Sequence, residues 1–255
     1  MKILVVIPTY NEAENVKELI PQVLSQEEKI KDFADARVDV LIVDDNSPDG
    51  TAEVVREMQG KFSGRVHLIQ RPRKLGLGTA YVEGFKFALA NGYDYVFQMD
   101  ADFSHDPKVI PELLKGTLDS YDIVIGSRYS HGVSVMNWPF SRVLLSYFAN
   151  AYARKFTGVP IKDLTSGFKC ISKRALEKVE LDRIKSNGYA FQIEFTVKSY
   201  YKGMRIKEHP IIFVERRSGV SKMSKKIVFE AAFMVLRLMF SQRFLKFFKR
   251  RKDGG

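Results

Sequence analysis

The tripeptide Asp100-Ala101-Asp102 follows the run YVFQM, which reads as a strand. On a strand, residues i and i+2 share a face, so both carboxylates are expected to address one site. Two carboxylates held close repel unless a cation lies between them. Mg2+ or Mn2+, held by one or two carboxylates with substrate phosphate oxygens in its remaining positions, is the usual resolution. The plain alternative is a solvated acidic turn; the place of the pair at the end of a central strand favours the metal.

A second pair, Asp44-Asp45, follows the strand-like LIV and leads into Asn46-Ser47-Pro48-Asp49-Gly50. Ser-Pro-Asp-Gly is turn chemistry, and Asp49 is placed to cap the next helix. Neither accounts for two adjacent carboxylates, one of which can accept hydrogen bonds from a nucleobase or ribose. Further on, Lys74-Leu75-Gly76-Leu77-Gly78 opens a helix at Thr79. Its glycines would let main-chain N–H groups approach a phosphate. They would equally allow a tight turn to pack, which local turn chemistry favours. The third glycine and the acidic residue of a dinucleotide fingerprint are missing.

Arg128 stands just past a fifth strand-like run. Arg142 and Ser146 are spaced i, i+4 and share a helix face, with Asn150 one turn further and Phe140, Leu144, Tyr147 and Phe148 on the opposite side. A cation and a hydroxyl at the edge of an apolar surface suit an anionic head on an oily tail. Periodicity alone favours an ordinary amphipathic helix. Arg216 and Gly219-Val220-Ser221-Lys222 follow the run IIFVE, a loop that either brings two cations to a site or is simply solvated. The four histidines are scattered without His-x-x-x-His spacing, against a hydrolytic zinc site. The single cysteine, Cys170, lies in an apolar strand context, reads as buried rather than nucleophilic, and excludes an internal disulfide framework.

These residues need a scaffold. A chain of 255 residues allows one large domain, or one domain with a small appendage. Apolar runs at Ile3–Ile7, Val38–Val43, Val66–Gln70, Tyr95–Met99 and Ile123–Gly126 read as buried strands. Helix-period stretches at Asn11–Gln26, Thr51–Gln59, Thr79–Ala90 and Pro107–Leu118 alternate with them. This order predicts a mostly parallel sheet with helices on both faces, and ligands beyond the carboxyl ends of its strands. Past residue 130 the alternation fails. A helix over about 139–156, a strand near Gly167–Ile171, a helix near Ala190–Tyr201 and a strand near Ile206–Val214 are expected. The opening apolar run is too short for a signal peptide, and no stretch reaches the 18 or so apolar residues of a spanning helix. A soluble or peripheral protein is expected.

The charge is concentrated. Of the net +11, residues 216–255 carry +10, with 12 Lys and Arg against Glu230 and Asp253. Phe229, Phe233, Leu236, Phe240, Phe244 and Phe247 recur there at helical spacing. A basic helix with an aromatic face fits an anionic lipid surface or a partner helix; a last helix packed on the core fits equally well. The expected division is a catalytic domain over 1–222 and an amphipathic basic tail over 223–255. A nucleic-acid reader motif is lacking, so no nucleic-acid partner is expected.

Taken in order, IPTYNE, VDDNSPDGT, RKLGLGTA, MDADFSHDP, GSRY, NWPFSRVLLS, DLTSGFK and ERRSGVSK span residues 3–222. The set resembles glycosyltransferase family 2, and within it the dolichyl-phosphate (polyprenyl-phosphate) mannose synthases. The resemblance implies the α/β A-type glycosyltransferase fold and inverting transfer of mannose from GDP-mannose to dolichyl or polyprenyl monophosphate. It maps Pro8, Tyr10, Glu12 and Asp45 onto the nucleoside site, with Lys74 and Ala101 counted beside them. Asp100 and Asp102 match the metal and diphosphate motif. Arg128, Arg142, Ser146 and Arg216 match positions that hold the lipid phosphate, with Lys222 close by. Asp102, Arg128 and Arg216 are thus the expected catalytic residues. Some relatives carry a Gln metal ligand where Ser104 stands here. Many also carry C-terminal spanning helices; this sequence has none to Gly255. It therefore resembles the soluble catalytic-subunit type, peripheral on the cytoplasmic face of a membrane with room for a small membrane-spanning partner, or else a truncation of a longer chain.

An acceptor phosphate monoester is largely dianionic near neutral pH, its second pKa being about 6, and needs no strong base. Asp163 and Glu194 are the available carboxylates for that role and are not required. The task is to bring two anions together, by neutralising charge and aiming the groups. The rival readings are a UDP-glucose-dependent polyprenyl-phosphate glucosyltransferase and, further off, a non-catalytic nucleotide- or membrane-binding subunit.

Overall fold

A computed structural model describes residues 1–215 and 232–239. Its centre is β1 (Lys2–Thr9), where Ile3, Leu4, Val5, Val6 and Ile7 are all fully buried. Alternation sends Leu4 and Val6 into one core and Ile3, Val5 and Ile7 into the other. A strand apolar on both faces must be covered on both. On one side lie α1 (Ala13–Leu24), α3 (Thr51–Lys61) and α5 (Ile110–Leu118); on the other lie α4 (Leu77–Ala90) and α8 (Gly188–Tyr201). Helix α4 lies so close to β1 that a Cβ on Gly84 would come 2.4 Å from Val6 Cγ1.

The remaining strands are β2 (Arg37–Asp44), β3 (Val66–Gln70), β4 (Tyr95–Gln98), β5 (Ile123–Ser127), β6 (Val135–Met136), β7 (Lys169–Ser172), β8 (Ile206–Pro210) and β9 (Phe213–Val214). Seven form one sheet in the order β3-β2-β1-β4-β7-β5-β8, and β6 pairs with β9 in a small ribbon. Only β7 runs antiparallel to its neighbours β4 and β5. The parallel strands all point their carboxyl ends to one rim, where Thr9, Asp44, Met99 and Ser127 give way to loops.

Three expectations change. The single helix over Asn11–Gln26 stops at Leu24, and a separate α2 (Gln26–Lys31) follows. The strand over Ile206–Val214 breaks at Ile211 and Ile212: the Ile211 N–H still bonds to Ser127 O, but that of Phe213 turns to Ser134 O and the ribbon. A short α7 (Lys173–Lys178), started by the Ser172 side chain accepting from Ala175 N–H, had no periodic signal. The long α6 (Phe140–Thr157) matches its expected span.

The boundary expected at residue 222 and most of the 223–255 tail lie outside the described residues. The part described, 232–239, is helical and buries Val235 and Leu238 in the same core as α4 and α8. That stretch is continuous with the catalytic core. Among the described residues, no helix is long and apolar enough to cross a membrane.

Candidate active site

Strand β4 ends at Gln98, so Asp100 and Asp102 stand in the bend beyond it, and the strand-face argument for their convergence does not apply. Two buried neighbours hold Asp100 instead. The Tyr81 hydroxyl donates to Asp100 Oδ1 at 3.2 Å. Burial, and then the charges of Asp100 and Asp102, push this phenol well above its ordinary range, so it remains a donor. His105 stacks on Phe168 at 4.9 Å, and its Nδ1 accepts the Asp100 N–H at 3.1 Å. Burial pushes this imidazole down, although Asp100 and Asp102 pull the other way; it stays neutral, with its proton on Nε2. Ala101 is buried between the two carboxylates.

Ser104, at the position of the doubtful third ligand, is buried; its N–H and Oγ donate to Asp102 Oδ1 at 3.1 and 2.6 Å. It anchors Asp102. At Gly167 a Cβ would lie 3.4 Å from both Asp100 carboxylate oxygens, so glycine keeps their approach open. Among the described residues no cluster of three metal-ligating side chains occurs. A pair of hard carboxylates fits a cation that completes its shell from substrate oxygens.

Beside this bend lies the expected nucleoside region. Pro8 is at the end of β1, in register with Val43. Asp44 builds the turn, accepting from Thr9 Oγ1 at 2.9 Å and from Ser47 N–H at 3.0 Å. Asp49 accepts from Thr51 N–H and Ala13 N–H, both at 3.0 Å, and so ties α3 to α1. The Glu12 N–H donates to Thr51 Oγ1 at 3.0 Å, while its carboxylate takes Asn15 Nδ2 at 2.6 Å. Lys74 Nζ lies 3.8 Å above the Tyr10 ring. Asp45 is buried and pairs with the buried Arg71, and its Oδ2 accepts from Leu75 and Gly76 N–H at 3.3 and 3.2 Å. In this structure Asp45 is a brace for the 71–78 loop.

Of the two readings of that loop, the structure supports close packing. Gly78 N–H is already bonded to Asn187 Oδ1 at 2.9 Å, and a Cβ there would meet Ser186 O at 2.5 Å. Gly76, at φ +101°, is similarly pressed against Asn187. These glycines serve close packing.

The acceptor constellation converges. Arg128, Arg142 and Ser146 line one cavity of about 290 Å³, walled by Leu145, Phe148, Tyr152, Ile193 and Val235. Arg128 is buried, with Nε and NH2 gripping the Asp163 carboxylate at 2.8 and 2.7 Å and NH2 also donating to Thr165 Oγ1 at 2.7 Å. Arg142 stacks on Trp138, its Cζ 4.0 Å from the ring centre, and pairs with Glu215. Ser146 Oγ accepts the Tyr129 hydroxyl at 2.8 Å. Asn150 is buried and takes Leu164 N–H at 2.8 Å, fixing the 163–165 loop under Arg128. The ordinary amphipathic reading of α6, with Arg142, Ser146 and Asn150 solvated, is therefore overturned: these three face inward while Phe140 is 74% exposed.

Neither carboxylate considered as a base is free. Asp163 is locked to Arg128, and Glu194 is tied to Lys198 at 2.6 Å and to Ser186 N–H at 3.0 Å. Arg216 and Lys222 lie outside the described residues. Sequence reasoning missed Arg71, Tyr81, Trp138, Lys169 and Glu215, and counted His105 only among scattered histidines. A lysine inside the apolar strand Lys169–Ser172 was the signal available for Lys169.

An α/β sheet of this order, with a carboxylate pair and two loops at its carboxyl rim, defines a glycosyltransferase of the A-type fold. Residues 4–180 match glycosyl transferase family 2, and the chain belongs to that family. It is 43% identical over 232 residues to polyprenol monophosphomannose synthase of Mycolicibacterium smegmatis, covering 91% of this chain and 84% of the relative. It is 42% identical over 237 residues to undecaprenyl-phosphate mannosyltransferase of Micrococcus luteus, covering 93% of each. Among solved structures, glucosyl-3-phosphoglycerate synthase from Mycobacterium tuberculosis with Mn2+, UDP-glucose and phosphoglyceric acid superposes with a TM-score of 0.67 at 19% identity, covering 93% of this chain and 79% of that one. A mannosyltransferase from Pyrobaculum calidifontis in complex with GDP-Man and Mn2+ gives 0.56 at 18%, covering 94% and 73%. At these identities the likeness is one of fold.

Proposed function

We propose that this chain transfers mannose from GDP-mannose to a polyprenyl monophosphate, with inversion at the anomeric carbon. The observation that carries the reading is the cavity shared by Arg128, Arg142 and Ser146: two guanidinium groups at the head of an apolar chamber. Such a chamber suits a phosphate on a hydrocarbon tail and suits neither a free sugar nor a nucleic acid. The names of the two close relatives support the same acceptor and sugar.

In this reading Asp100 and Asp102 hold Mg2+ or Mn2+, which neutralises the leaving diphosphate when bound. Tyr81, His105 and Ser104 fix the carboxylates that receive it. Tyr10, Lys74 and the Asp45-braced loop border the nucleoside. Arg128 and Arg142 neutralise and aim the acceptor phosphate, which is itself the nucleophile, so a base is unnecessary. Arg216 and Lys222, which follow β9 in the sequence, supply further cations to this reading. The basic tail docks on an anionic membrane surface; Phe233, 71% exposed on the far side from Val235, supports an outward aromatic face.

The test is a transfer assay crossing GDP-mannose and UDP-glucose with a short polyprenyl phosphate, with and without divalent cation. Mannosyl transfer that needs the metal is expected. Glucosyl transfer alone would move the assignment to the sister activity, and no transfer from either donor would discard it.

A further inference from the structure

A carboxylate already sits at the cationic end of the cavity. Arg142, with its guanidinium on Trp138, pairs through NH1 with Glu215. This differs from the pairing of Arg128. Asp163 is fully buried and meets Arg128 through its main-chain N–H, Nε and NH2, with Thr165 as a further donor. Glu215 meets Arg142 through NH1 at the rim, where the two side chains are 25% and 14% exposed. The first pair is built into the fold. The second is a contact that a stronger anion can replace.

Glu215 is also on a short tether. Its N–H donates to Met136 O at 3.1 Å, so it ends the two-residue ribbon of β6 and β9. Two donors in the same corner, Trp138 Nε1 and Arg142 Nε, are buried and have no acceptor among the described residues. Unmet buried donors are costly. Among the described residues these two donors have no acceptor, and Glu215 takes Arg142 through NH1.

We propose that Glu215 is the resident counter-ion of the acceptor head-group subsite, displaced from Arg142 when a phosphate monoester binds. The inference rests on the acceptor reading above and adds a specificity element to it. A phosphate monoester brings nearly two negative charges and three acceptor oxygens. It outcompetes a carboxylate for the guanidinium and can satisfy the donors that Glu215 leaves unmet. A neutral prenyl alcohol can do neither, so Glu215 screens the cavity against it and balances the Arg142 charge beside an apolar wall. A plain brace, holding Arg142 on Trp138, makes the opposite prediction: removing Glu215 would then weaken phosphate binding.

Trp138 is the only tryptophan in the chain and stacks on Arg142, so its emission reports this corner directly. Geranyl phosphate, inorganic phosphate and geraniol are titrated into the wild-type chain, Glu215→Gln, Glu215→Ala and Arg142→Ala, with thermal unfolding as the folding control. Glu215→Gln should bind geranyl phosphate and inorganic phosphate about fivefold more tightly, the scale of a partly exposed ion pair. Geraniol affinity should change less, and Arg142→Ala should lose the phosphate response. Equal or weaker phosphate binding by the folded Gln and Ala variants overturns the counter-ion role while leaving the acceptor site standing. Wild-type binding that ignores Arg142 overturns the acceptor reading, and this inference with it.

Discussion

Asp163 and Arg128 are joined at three points in a dry interior. The Arg128 main-chain N–H and Nε donate to Oδ2 at 3.0 and 2.8 Å, and NH2 donates to Oδ1 at 2.7 Å. The same carboxylate accepts Thr165 Oγ1 at 3.2 Å, and Asp163 N–H is fixed by Glu208 at 2.9 Å. One acidic residue thus decides where the Arg128 charge points within the cavity. It contributes orientation.

Asp163→Asn keeps the shape and drops the charge. Breaking one half of a buried pair costs about 3–5 kcal/mol, so a large loss of stability is expected. Burial by itself pushes the Asp163 carboxyl up, but the Arg128 charge and the hydrogen bonds from Arg128 and Thr165 hold it below the usual carboxylate range. A depressed folded-state pKa means stability that is fully present above the unfolded value of about 4 and is lost as pH falls through the folded one. Urea unfolding across acid pH should show wild type falling steeply below that point and the variant falling less. Parallel curves would contradict the assignment.

Asp102→Asn should cut transfer by at least about 100-fold, the scale of losing a metal's charge stabilisation. Calorimetry should show weakened Mn2+ binding in the presence of GDP. Ser104→Ala leaves the carboxylate but removes the 2.6 Å O–H that holds it, and a loss of about tenfold is expected. Unaltered Mn2+ affinity in Asp102→Asn would reject the metal role.

Gly78→Ala places a Cβ 2.5 Å from a main-chain oxygen, which cannot move aside as a flexible side chain can. Overpacking of this kind costs about 1–3 kcal/mol. Because the loop ahead of α4 is braced on Asp45, the shift should also weaken nucleotide binding. Gly92→Ala, whose Cβ would meet nothing, serves as the contrast although its φ of +68° adds local strain. Thermal unfolding and nucleotide titration on both variants check this; equal nucleotide affinities would separate the loop from the site.

The parts of the fold that read directly from sequence are those whose signal is local. The ILVVI run is apolar on both faces, and so its burial follows from five consecutive residues. Arg142 and Ser146 are one helical turn apart, so their shared face is a matter of geometry. The residues that were missed act through distant partners: Glu215 reaches Arg142 across 73 positions, and Tyr81 reaches Asp100 across 19. No local pattern announces such contacts. The inverted amphipathicity of α6 was hidden for a related reason: which face of a helix turns inward is set by what packs against it. Asp100 and Asp102 were expected to share a strand face, yet the strand ends at Gln98 and each is held by its own partners, Asp100 by Tyr81 and His105 and Asp102 by Ser104.

Lys169 gives the last prediction. It is fully buried in β7 opposite Gln98, and its Nζ donates to Ser166 O and Gln192 Oε1. Among the described residues no carboxylate lies within ion-pair distance of it. Burial pushes its amine down to about 7, against the pull of Asp163 and Asp100. Below pH 7 the folded and unfolded chains both carry the proton, and the fold bears the cost of a buried ammonium. Between about 7 and the unfolded value of about 10.4 the folded chain sheds it first, so that cost is relieved and stability rises, by about 5 kcal/mol at most. Lys169→Met has no proton to shed but leaves two buried acceptors short of a donor, a loss of about 1–3 kcal/mol each. Urea unfolding at pH 6, 8 and 10 should therefore show wild type gaining on the variant as pH rises. A gap that stays constant would mean that the amine is charged in the fold throughout, and that Asp100 and Asp163 stabilise it more strongly than burial opposes it.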